Sequence, residues 1–252
     1  LFLKARRLHP REPNVLAGHA RLALGLGRIR EAIAALETSV TVDLYVPVHR
    51  QLLAMSLWAG GRMEEAELAV NRALALWPRH YALWFLRLYM LAHSGRADEA
   101  LAFAAATADR PPNVPASDFE AQLASVASLR SRDPAAVEAA ARTHLEMARQ
   151  GVGYAELAMR WFSAIGRVDD AFAVARGLYL DEGFVIPALR FAGQGRFMQG
   201  GTRATHHLFL PPCAAMRADP RFGALMRDIG IGEYWKASGR GPDDPAWARG
   251  AS

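Results

Sequence analysis

A short motif recurs along this chain at a fixed interval, and that interval limits the fold more than any other feature. Gly27-Arg28-Ile29-Arg30-Glu31-Ala32 returns with every number raised by 34 as Gly61-Arg62-Met63-Glu64-Glu65-Ala66, and by 34 again as Gly95-Arg96-Ala97-Asp98-Glu99-Ala100. A fourth copy, Gly166-Arg167-Val168-Asp169-Asp170-Ala171, lies two periods plus three positions beyond the third, so one degenerate copy with a small insertion stands between. A constant interval of this length means stacked copies of one supersecondary unit.

Each position of the motif has a physical reason. Glycine ends one helix in the left-handed conformation at low cost. The acidic residues fall in the first turn of the next helix, where the macrodipole favours them. Alanine, at Ala32, Ala66, Ala100 and Ala171, sits where two helix axes must approach closely. A second landmark keeps the register: Ala5 precedes Pro10, and Ala73 precedes Pro78, by five positions, and Pro112 follows Pro78 by 34. Proline stops one helix and helps to start the next pair.

Apolar residues at three- and four-residue spacing then predict the helices. Leu1 to Leu8 reads as the remnant of a second helix. Full pairs follow at Asn14 to Leu26 with Ile29 to Thr41, Pro47 to Ala59 with Met63 to Leu76, and Tyr81 to His93 with Ala97 to Ala108. The degenerate pair, within residues 115–150, starts at Ser117 with Glu120 as a capping box and at Asp133-Pro134. A fifth pair takes Tyr154 to Ala164 and Val168 to Leu180.

This pattern resembles the tetratricopeptide repeat family, a 34-residue helix–turn–helix. The resemblance covers residues 1–180 by register, with Trp84 alone keeping the early aromatic and Leu44 replacing a closing proline. It implies an all-α, right-handed superhelical solenoid of about five helix pairs with an atypical helical C-terminal cap. By register Leu1 falls inside a second helix, so the chain reads as a piece of a longer one, with at least half a repeat before it.

Beyond Leu180 the register is lost. Residues 181–239 read as the cap: one more short helix at Phe184 to Ala192, a glycine-rich loop at Gly193 to Thr205, a helix after Asp219-Pro220, and a last one at Ile231 to Ser238. Residues 240–252 lack periodicity and read as a mobile tail. Arg217 to Phe222, the Tyr234-Trp235 pair and Gly239-Arg240-Gly241-Pro242-Asp243 are similar to the ends of bacterial multidomain regulators, in which such an array follows a winged-helix or nucleotide cyclase domain. That resemblance implies a bacterial regulatory or signalling setting, with a missing N-terminal domain as one partner. A stand-alone scaffold or assembly adaptor is the alternative, and an enzyme on a helical scaffold a remote one.

Composition excludes several classes. With Cys213 as its single cysteine, the chain forms no internal disulfide and no cysteine-based metal site, which fits a reducing, cytoplasmic setting. The net charge of +5 rests on scattered arginines, only Lys4 and Lys236 being lysine, so a nucleic-acid surface is not expected. The most apolar window, Tyr81 to Ala92, is interrupted by Arg87 and is too short for a membrane helix.

In the family, peptides lie along the face formed by the first helix of each pair. Projecting that face gives Gln51, Met55 and Trp58, then Phe85, Tyr89 and His93, then Phe119 and Leu123, then Arg160. The groove this predicts is aromatic and takes a protein or peptide segment, though any one aromatic there serves equally as core between repeats. It lacks the Lys and Asn pairs with which family members clamp a peptide's terminal carboxylate. No catalytic group, cofactor or metal is predicted. His206-His207 has no carboxylate at ligand spacing and reads as a polar loop, Cys213 as a small buried thiol, and Glu64-Glu65 and Asp169-Asp170 as helix starts.

Overall fold

The repeated turn builds the molecule. In the computed structural model, which describes residues 2–191 and 203–251, Gly27, Gly61, Gly95 and Gly166 all have φ between 70° and 83°. After each, the arginine N–H reaches back to a carbonyl of the finished helix: Arg28 to Ala23, Arg62 to Leu57, Arg96 to Leu91 and Arg167 to Phe162, at 2.9–3.1 Å. This is the Schellman closure, in which a residue with a Cβ would be strained at the glycine. Ala32, Ala66, Ala100 and Ala171 are each 0% exposed, at the close approach of paired helices.

Helices α1 (Phe2–Leu8), α2 (Pro13–Gly25), α3 (Ile29–Val42), α4 (Pro47–Ala59), α5 (Met63–Leu76), α6 (Tyr81–His93) and α7 (Ala97–Ala105) come first. Then follow α8 (Ala116–Ser131), α9 (Pro134–Ala148), α10 (Val152–Ala164) and α11 (Val168–Leu180). Consecutive helices pack in pairs, α2 with α3 through α10 with α11, each pair also touching the next. No strand occurs among the described residues. Asp133 caps α9 through its side chain, accepting from Ala136 N at 2.7 Å. The capping box expected at Ser117 and Glu120 is not formed: α8 begins at Ala116, behind Pro115, with no side-chain cap.

The motif arginine has a second task. Arg62 pairs with Glu65 in its own helix and Glu37 in the preceding repeat, Arg96 with Glu99 and Glu67, and Arg167 with Asp170 and Glu138. The result is a set of surface ion pairs that tie α5 to α3, α7 to α5 and α11 to α9.

The C-terminal elements are 3-10 turns at Thr205–Phe209 and Pro211–Cys213, short helices α12 (Ala214–Ala218), α13 (Arg221–Asp228) and α14 (Ile231–Ser238), and a final 3-10 turn at Pro245–Ala248. They join the last pair to the first. Met216 N donates to Ser163 Oγ on α10 at 3.3 Å. At the other end Thr205 Oγ1 donates to Gly25 O at 2.8 Å, and Trp235 Nε1 to Leu26 O at 3.0 Å.

Two expectations are corrected here. Residues 184–191 contain no helix. The segment, broken at Pro187, instead lends the carbonyls of Leu189 and Arg190 to Val152 N and Gly153 N, at 2.7 and 2.8 Å. That satisfies free N–H groups at the start of α10. Most of the loop predicted at Gly193 to Thr205 lies outside the described residues.

The stretch expected to be a mobile tail is packed. Asp243 N donates to Gly27 O at 2.9 Å, and the Asp243 carboxylate accepts from Arg30 N at 2.7 Å. Ala251 is 3% exposed. Its carbonyl oxygen lies 1.9 Å from where a Cβ on Gly232 would stand, so α14 and the chain end meet through glycine. Low periodicity is a poor guide here because this stretch packs through backbone groups rather than an apolar stripe.

Candidate functional site

Four side chains on α6 stand at four-residue spacing, Tyr81, Phe85, Tyr89 and His93, and so share one helix face. Successive rings touch, with centroids 5.3 Å apart for Tyr81 and Phe85 and 5.7 Å for Phe85 and Tyr89. Opposite this stripe α8 presents Asp118, Gln122, Ser125 and Leu129, and α10 presents Tyr154, Leu157, Arg160 and Trp161. Between them runs a narrow cleft of two lobes that share Tyr89, Gln122 and Leu157.

The lobes differ in chemistry. The first is apolar and aromatic, closed by Val114, Pro115 and Phe191. Phe191 meets Tyr81 and Tyr154 edge-on, at 5.8 and 5.0 Å. The second is polar, with Arg160, His93, His144, Gln122 and Ser125 on its wall. Tyr89 OH donates to Gln122 Oε1 at 3.1 Å, and Tyr154 OH to Asp118 Oδ2 at 2.6 Å, so the aromatic walls are fixed by hydrogen bonds across helices. His144 stacks on Trp161 at 4.7 Å and lies 2.7 Å from Ser125 Oγ.

Burial, aided by the Arg160 charge, pushes the His93 imidazole down to about 3 and the His144 imidazole down to about 4. The charged form of each is the one that desolvation penalises. Both are neutral at neutral pH, so Arg160 alone charges this lobe. Burial raises the Tyr81 and Tyr89 hydroxyls, which stay protonated donors.

Beneath the cleft lies a buried ionic cluster. Glu156, 1% exposed, has an oxygen 2.6 Å from Arg190 Nη2 and 2.9 Å from His207 Nε2. Burial alone would raise its carboxyl, but His207 and Arg190 outweigh that and hold it below the ordinary value. His206 and His207, expected on a polar loop, are instead buried in the 3-10 turn Thr205–Phe209, rings 4.0 Å apart. Cys213 is 0% exposed, and burial pushes its thiol up to about 11. Among the described residues no group of three His, Cys, Asp or Glu is placed to hold a metal ion, and no helix is long and apolar enough to cross a membrane.

Of the residues projected from sequence, Phe85, Tyr89, His93 and Arg160 line the cleft. Phe119 stacks behind Phe85 at 5.6 Å as support, and Leu123 is half-buried. Gln51, Met55 and Trp58 lie on α4, away from the cleft. Met55 and Trp58 are buried, and Gln51 Nε2 points to Met55 Sδ at 3.9 Å. Tyr81, Gln122 and Leu157 escape the projection. The four-residue spacing back from Phe85 and three-residue spacing back from Arg160 mark Tyr81 and Leu157, whereas nothing local marks Phe191.

Comparison with known proteins gives one family. Residues 52–115, from α4 through the connector after α7, match the model of the tetratricopeptide repeat. No curated protein matches the chain.

Proposed function

We propose that this array of tetratricopeptide repeats binds a protein segment in the cleft between α6, α8 and α10. Such repeats are protein-interaction modules. The observation that carries the finer reading is the continuity of the two lobes: an aromatic trough and a polar end share Tyr89, Gln122 and Leu157. An extended or amphipathic segment uses that combination, apolar side chains in the trough and a polar group at its end. The mechanism is recognition rather than chemistry, because His93 and His144 are neutral, Cys213 is sealed and Glu156 is committed to Arg190 and His207.

The regulatory setting that the C-terminal resemblance implies makes the cleft a sensing site, in a cytoplasmic protein whose upstream domain responds to occupancy. The scaffold reading uses the same cleft without such a domain.

The test is a selection of peptides against the full chain. Peptides that bind in the cleft lose binding to Leu157→Arg and keep it with Glu64→Arg, an exposed position on α5. If both variants retain binding, the cleft is not the site.

A further inference from the structure

The polar end of the cleft holds a buried cation that meets no carboxylate among the described residues. Arg160 is 6% exposed. Its Nε–H donates to the Glu156 backbone carbonyl at 3.2 Å, and its guanidinium lies 5.0 Å from the Tyr89 ring centre. The Glu156 side chain, one turn earlier, is committed to Arg190 and His207. Among the described residues no carboxylate lies within ion-pair distance of Arg160, and residues 192–202 contain neither Asp nor Glu. Other inward-turned arginines use their terminal nitrogens on carbonyl oxygens, Arg217 on Leu208 and Leu210, and Arg28 on Arg240.

One further polar group lining the same space is unpaired. His93 Nδ1 is buried without a hydrogen bond. Buried polar groups are normally paired, and a buried guanidinium almost always is. Arg160, whose terminal nitrogens meet no carboxylate, and the unpaired His93 on the same lobe therefore mark where a ligand's polar atoms sit.

We propose that this lobe receives the carboxylate of an Asp or Glu side chain within the bound protein segment, while a neighbouring apolar side chain fills the Tyr81–Phe85–Leu157 trough. This rests on the cleft being the interaction site. A carboxylate fits because the free edge of the guanidinium offers two parallel N–H groups to a planar pair of oxygens. It also matches the single positive charge of a lobe whose imidazoles are neutral, where a dianion would bring an unmatched charge.

The test uses the full 252-residue chain and a random linear peptide library. Peptides whose binding is lost with Leu157→Arg are expected to carry an acidic residue beside an aromatic or aliphatic one. Changing that acid to its amide weakens binding to the parent protein about tenfold or more, the size of one charge-assisted bond. The same change has little effect on binding to Arg160→Gln, and Arg160→Lys, which keeps charge but not the fork, falls between. The acid-to-amide comparison on the parent protein needs no folded variant.

Cleft-dependent peptides with no acid preference overturn this proposal and leave the cleft as an interaction site. No cleft-dependent peptide overturns both. In a parallel titration with 3-phenylpropionate, a response that Arg160→Gln abolishes, without any acid-bearing peptide, overturns the protein ligand in favour of a free organic acid.

Discussion

Arg240 Nη2 lies 2.7 Å from Glu31 Oε2, although 209 positions separate the two residues in sequence. In the later repeats an acid in the same first turn is met by the motif arginine three positions earlier. In this first turn Arg28 is turned away from Glu31, toward Ser238 Oγ at 3.0 Å and the carbonyls of Arg240 and Gly241. Arg240 takes the vacated place.

That exchange predicts unequal costs for one motif position. Arg28 is 7% exposed. Arg28→Ala removes its bonds to the Ser238 hydroxyl and the Arg240 and Gly241 carbonyls, a loss of about 1–3 kcal/mol. The Arg62 side chain is 40% exposed and its pairs are at the surface. Arg62→Ala therefore costs less than about 1 kcal/mol. Urea unfolding of the two variants measures both, and equal losses would contradict the closure's energetic role.

Gly232→Ala should change sign with the presence of the chain end. In the full chain the added methyl overlaps the Ala251 carbonyl and costs about 1–3 kcal/mol. In a chain ending at Gly239 the same substitution, inside α14, gains about 1 kcal/mol, as alanine does over glycine within a helix. Thermal unfolding of the four proteins tests this, and a penalty that persists after truncation would rule out the contact.

His144 makes stability depend on pH. Its folded value is about 4, lowered first by burial and then by Arg160, while an unfolded imidazole titrates near the ordinary value of about 6.5. Between those values the unfolded chain binds the extra proton. The stabilisation is therefore complete above about 6.5 and declines as pH falls toward about 4, at ~1.4 kcal/mol per pH unit. His144→Gln removes this slope. Stability profiles of the parent and variant that run parallel from pH 7 to 4.5 would show that His144 does not titrate on unfolding.

Arg160→Met gives a test that a merely structural arginine fails. Removing a buried charge without a counter-ion and keeping the packing leaves stability unchanged or raises it by about 1–2 kcal/mol. A structural arginine would instead lose several kcal/mol. Calorimetric Tm values of the two proteins decide between these.

The array is legible in the sequence because its information is local and repeated. One glycine, one alanine and the acidic residues between them each answer a constraint within a single turn. Half of the cleft is legible for the same reason, since Phe85, Tyr89 and His93 follow from one helix face. Gln122 and Phe191 join the cleft through contacts between elements far apart in sequence, which periodicity does not record. The closure is least legible. Arg28 looks like Arg62 and Arg96, and only the arrival of Arg240, Ser238 and Asp243 distinguishes it.

The path from Leu26 and Gly27 through Trp235 and Asp243 has a consequence for how the molecule opens. An open stack unravels from its ends, because each outermost unit has one neighbour instead of two. Here the first full pair is held on its second side by the last residues of the chain. Amide protons of α2 and α3 should therefore exchange on nearly the same timescale as those of α10, and loss of the final turn should convert one concerted transition into progressive fraying from the N-terminal side.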